Sequence, residues 1–164
     1  MVRRSPRRRW IFVALLALVL AGCSTQNLAV EQPDQVHDLT PADFAHAKAP
    51  FTVSWQSTPL PAGHRFIVLI DRDPMAPGDD VYELLPATCK VQPGCPNKAY
   101  LESQAIYTTR SHHVKVTSVR FQGPYPIHDL YDLHRAVVVI ADATNTRVGE
   151  TYYTTSFFVR SGLA

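Results

Sequence analysis

From Phe51 the chain alternates without a break: Phe51, Val53 and Trp55 are apolar, while Thr52, Ser54 and Gln56 between them are polar. Successive side chains of an extended strand point to opposite faces, so this period of two describes a strand with one buried and one wetted face. The next apolar run, Phe66 to Ile70 within 65–71, lies beyond the turn-forming Pro59-Leu60-Pro61-Ala62-Gly63 and is continuous, as in a strand buried in the middle of a sheet. Further runs rich in β-branched and aromatic residues occupy 81–85, 104–109, 113–119, 134–141 and 151–159, giving seven short strands. No segment keeps a 3.6-residue apolar period over three helical turns, and strands do not alternate with helices. A half-apolar sheet must cover its face, and without helices the covering layer is a second sheet. The expected fold class is all-β, an antiparallel two-sheet β-sandwich over residues 51–164.

The same runs resemble an immunoglobulin or fibronectin type III domain. Phe51-Thr52-Val53-Ser54-Trp55 is similar to the B strand of fibronectin type III modules, whose tryptophan lies in the core. Phe66–Ile70 falls where the C strand would be, His113–Val119 looks like strand E, His134–Ala141 like strand F and Thr151–Val159 like strand G, with Asn145 available for the F–G turn. Where the family has a tyrosine near the start of strand F, the nearest residues are Tyr131 and His134. The resemblance implies an architecture and no particular chemistry, since sandwiches host many functions.

The amino terminus reads as an address. Five of the sixteen Lys and Arg lie in the first nine residues, and the eleven residues Trp10–Leu20 are an unbroken apolar run. That run is too short to cross a hydrocarbon core, which needs about 20 helical residues, and it matches an export signal in its basic start and small-residue end. Leu20-Ala21-Gly22-Cys23 resembles the lipobox of bacterial lipoproteins, which implies cleavage before Cys23, acylation of Cys23 and stable anchoring to a membrane. The alternative is an ordinary signal peptide with a cysteine near its cleavage site. Ser24 after the cysteine implies the outer membrane where the source has two membranes, and otherwise the outer face of the cell membrane. Residues 1–22 are thus a signal peptide and 23–50 a polar tether. Within the tether, Thr40-Pro41-Ala42-Asp43 carries helix-start signals that predict one or two turns over 41–48. Without residues 1–22 the chain carries eleven basic against fourteen acidic groups. That balance argues against a basic face for nucleic acid.

Cys89 and Cys95 remain once Cys23 is assigned to lipid, and outside the cytoplasm two spare thiols around a Pro93-Gly94 turn are expected to pair. A metal reading has no third or fourth ligand at finger spacing. The pair sits in an eighteen-residue connection, 86–103, which reads as a stapled surface loop. Its best candidate contacts for an envelope protein partner are Tyr100 and Leu101. The alternative is a bridge that only limits proteolysis.

Asp71, Asp73, Asp79 and Asp80 put four carboxylates within ten residues, but a calcium loop would have Ala76 at its obligatory glycine and Glu83 one place too late. A solvated turn is the simpler reading. The seven histidines show no ligand spacing, and neighbouring His112 and His113 point to opposite faces if extended. There is no Gly-x-Ser-x-Gly elbow, His-Glu-x-x-His or P-loop. No catalytic residue, metal or cofactor is therefore assigned beyond the lipid expected on Cys23. A second resemblance is carried by Ser54-Trp55, Pro61-Ala62-Gly63, Asp71 and Asp73, Leu85-Pro86-Ala87, Gly123-Pro124-Tyr125-Pro126 and His134-Arg135. These look like scattered motifs of phosphatidylethanolamine-binding proteins, which implies a small pocket for anionic head groups lined by Asp71, Asp73 and His134. Here Arg72 replaces the proline of that family's Asp-Pro-Asp, and its His-Trp pair near Val81-Tyr82 is missing. The leading expectation is a lipid-anchored, non-enzymatic sandwich module of the cell envelope, with a head-group-binding protein as the alternative.

Overall fold

A computed structural model describes residues 35–117, 119 and 131–160. Eight strands, β1 (Val36–Thr40), β2 (His46–Ala47), β3 (Phe51–Ser57), β4 (Arg65–Ile70), β5 (Ile106–Thr109), β6 (His113–Val116), β7 (Tyr131–Ala141) and β8 (Tyr153–Arg160), form two sheets. One sheet has the order β1-β3-β6 and the other β2-β8-β7-β4-β5. All pairings are antiparallel except the short parallel match of His46 and Ala47 with Phe158 and Val159. The all-β, two-sheet expectation holds. The alternation read at Phe51 appears as expected: Phe51, Val53 and Trp55 are buried between the sheets with Phe66, Val68, Ile70, Val138 and Phe157. The Phe51 ring meets Phe157 edge-on at 5.2 Å, and Trp55 meets Phe66 edge-on at 5.0 Å.

β4 is apolar at every second residue and also in between because its outer face is covered too. Ile67 and Leu69, with Val137 and Val139 of β7 and Ile106 of β5, pack under Met75, Val81, Leu85, Cys89 and Leu101. These last five come from the connection between β4 and β5, which carries a 3-10 helix (Val81–Leu84), α1 (Ala87–Lys90) and α2 (Lys98–Ser103). A third layer therefore lies on the larger sheet. Each of its fully buried aliphatic side chains contributes roughly 1.5–3 kcal/mol of apolar burial. The 86–103 connection is consequently not a detached surface loop, and Leu101, expected as a partner contact, is 6% exposed and belongs to this second core. Tyr100 is half-buried against it.

Two other segments depart from expectation. The run 81–85 is not a strand: Val81 and Leu85 are buried four residues apart, a helical spacing, and the Asp80 carboxylate caps the turn by accepting the Tyr82 N–H at 2.6 Å. The 41–48 segment is not helical. Its polar groups are taken by the margin of β8: Phe44 N–H donates to the Ser156 carbonyl, Phe158 N–H to the Ala45 carbonyl, and the Asp43 carboxylate accepts the Ser156 N–H at 2.9 Å. Phe44 reaches this arrangement at φ +58°, in the left-handed region that a right-handed helix does not allow. Residues expected as tether thus supply β1 and β2, and the folded part begins before residue 51. Residues 1–34, which include Cys23 and the expected signal peptide, lie outside the described residues, as do Gly123-Pro124-Tyr125-Pro126 and His128.

Candidate functional site

The antiparallel register of β4 and β7 sets Leu69 opposite Val137 and Ile70 opposite Ala136. One step further, the Asp71 N–H donates to the Arg135 carbonyl at 2.8 Å, so the chain leaving β4 stays tied to β7. Asp71 adopts φ +54°, a conformation that a side chain takes at a cost of order 1–3 kcal/mol and that concentrates at functional sites. The turn brings its carboxylate back over β7. Oδ1 accepts the Arg135 backbone N–H at 2.9 Å, and Oδ2 lies 2.7 Å from His134 Nδ1.

His134 alternates with Arg135 along the strand, so it shares the inner face with Ala136 and Val138 and is 4% exposed. Because a carboxylate only accepts, Nδ1 carries the ring proton in this contact, and Nε2 is left for another group. Among the described residues no hydrogen bond to Nε2 is formed. Arg135 extends from the outer face, where Nη2 donates to Asp73 Oδ1 at 2.7 Å and to the Arg72 carbonyl at 3.1 Å. Asp73 is 92% exposed, so this ion pair orients two side chains more than it stabilises the fold. Arg72 reaches the opposite way, donating from Nε to the Gln104 carbonyl at 2.8 Å and from Nη1 to the Leu84 carbonyl at 3.4 Å. It pins the third layer to the corner that carries the site.

The structure therefore joins Asp71 to His134 on the inner face of β7 and Asp73 to Arg135 on its outer face, and the two pairs are linked through the backbone N–H and carbonyl of Arg135. Arg72 and Arg135 are the residues that sequence reasoning left without a role; His134-Arg135 was visible as a motif pair, but nothing in the sequence shows the guanidinium of Arg135 lying on Asp73. The remaining aspartates do not join: Asp79 accepts from the Ala76 N–H and Asp80 caps the 3-10 helix. Among the described residues no three His, Cys, Asp or Glu side chains are grouped to hold a metal ion. Cys89 and Cys95 are joined by a disulfide, with Cα atoms 5.4 Å apart. No protein-family model, curated protein or solved structure matches the chain.

Proposed function

We propose that the chain is a lipid-anchored, non-enzymatic protein of the cell envelope whose β-sandwich binds a small anionic ligand of the head-group type at Asp71, Asp73, His134 and Arg135. The observation that carries the reading is the buried His134 imidazole, fixed through Nδ1 by a carboxylate whose own backbone is held at positive φ, with Nε2 uncommitted among the described residues. An imidazole held this way presents Nε2 as an acceptor to the ammonium or hydroxyl donor of a ligand at little entropic cost, which leaves the oxyanion to Arg135. The mixed charge of Asp73 and Arg135, at the same end of the strand on its outer face, suits a group that carries a phosphate and an ammonium together. The placement also agrees with the residues through which the sequence resembles phosphatidylethanolamine-binding proteins. The fold is proposed to be of the immunoglobulin or fibronectin type III kind. Supporting this, β1-β3-β6 follows the order A-B-E, and β5-β4-β7-β8 follows C′-C-F-G, with Asn145 at φ +67° in the F–G turn.

Titration of the full-length protein with O-phosphorylethanolamine, read by calorimetry, tests the ligand reading. His134→Gln and Asp71→Asn are expected to weaken binding by about 10- to 100-fold, the loss of one charge-assisted hydrogen bond. Saturable binding that both variants retain unchanged would reject the site. A second reading, a protein partner on the third layer, draws on Val91 and Tyr82, which are large apolar groups left exposed there.

A further inference from the structure

At the end of β4 away from Asp71, the turns β3–β4 and β5–β6 enclose a pocket of about 290 Å³. The six residues of β4 separate it from the His134 cluster by about 20 Å. Its lining includes Pro59, Pro61, His64, Phe66, Arg110 and His112, with no carboxylate. The walls are preset. The prolines fix their own φ, the His64 N–H closes the turn on the Pro61 carbonyl at 3.1 Å, and Gly63 takes φ +85°, where a side chain would be strained. Opposite, the His112 carbonyl accepts the Trp55 N–H at 3.0 Å. The Ser57 hydroxyl gives its one proton to the Thr58 carbonyl at 2.9 Å, so His112 Nε2 is the donor in its 2.9 Å contact with Ser57 Oγ. The His112 ring stands 5.6 Å from that of Phe66.

Charge and shape together say what such a pocket holds. Arg110 is exposed and forms no ion pair with a described residue. Asp142 lies near enough to His64 to feel it, but its carboxylate is already committed. The Thr144 hydroxyl first, then the Thr146 and Thr144 N–H groups, hold it below the usual carboxylate range, with His64 adding to them. Asp142 thus stays anionic but lies outside the lining, where Arg110 is the one residue of fixed charge, so the rim is cationic above Pro59, Leu60 and Pro61. The volume is at the lower edge of small-molecule pockets, room for a single ring and its substituent rather than a drug-sized molecule. A guanidinium fork matches the two oxygens of a carboxylate.

We propose that this pocket is a second ligand site, which takes a small aromatic carboxylate with its anionic end on Arg110 and its ring against the prolines and the exposed ring of His112, which backs on Phe66. Trp55 provides the readout, because its ring lies edge-on to Phe66, and Trp10→Phe makes it the only tryptophan of the chain. Benzoate added to the full-length Trp10→Phe protein is expected to change Trp55 emission saturably. Arg110→Gln should raise the apparent Kd by at least about tenfold, and benzamide, the neutral isostere, should bind more weakly by a similar factor. His134→Gln should leave the benzoate curve unchanged, which separates this site from the one proposed above. The proposal is overturned by an emission that does not saturate, by an Arg110→Gln curve matching the parent, by equal affinity for benzamide, or by loss of binding in His134→Gln alone.

Discussion

Trp55 is 3% exposed and meets Phe66 edge-on, so removing its indole empties the middle of the core between the sheets. Trp55→Ala is expected to cost about 3–5 kcal/mol, seen as a large fall in the thermal and urea midpoints. A variant melting within about a degree or two of the parent would mean that the ring contributes little to the core. This residue was legible because alternation assigns a face to each position without reference to the rest of the chain. Asp71 and His134 were legible only through a resemblance to known motifs. Their contact spans 63 positions, and it depends on a positive φ at Asp71 that no propensity announces. Arg72 was not legible, since its partners are the backbone carbonyls of Gln104 and Leu84, groups that every residue carries.

Strands with an apolar face declared themselves, and strands held mainly by their backbone did not. In β1 only Val36 is buried, and β2 is two residues long, paired with β8 through its peptide groups. The third layer was hidden for another reason: Met75, Val81, Leu85, Cys89 and Leu101 are spaced irregularly, and only the outer face of β4 and β7 makes them one cluster. This changes what the disulfide is expected to do. Closing a seven-residue ring is worth about 2 kcal/mol in the chain-entropy model, and by that term alone the bridge could be lost at modest expense. Cys89, however, is 1% exposed within that cluster. Replacing both cysteines by Ala should therefore cost about 2–3 kcal/mol, while replacing both by Ser should cost about 1–3 kcal/mol more, because a hydroxyl at position 89 is buried without a partner. Urea unfolding of the two double variants measures the difference, and equal midpoints would place position 89 in contact with water.

For the whole molecule, the two-sheet architecture was legible, because seven apolar runs without helical period leave few ways to bury their faces. Which strands lie at the margins was not, since β1 and β2 come from a stretch whose composition is that of a linker. Membrane attachment is expected to depend on Cys23 alone: no apolar stretch of membrane length follows it in the sequence, and among the described residues no helix is long and apolar enough to cross a membrane. Cys23→Ala should abolish metabolic labelling by a fatty acid and release the protein from membranes; label retained by the variant would show another point of attachment. The placement of β1 and β2 has a mechanical side. The dozen residues from Val36 to Ala47 enter the smaller sheet, cross over and end on the larger one, so this one stretch clasps both. Any pull on the amino-terminal side loads β1 first and the two-residue match on β8 next. The clasp can therefore pay out about 40 Å of chain before tension along the backbone reaches β3, a reserve of length that the proposed anchor at Cys23 would draw on first.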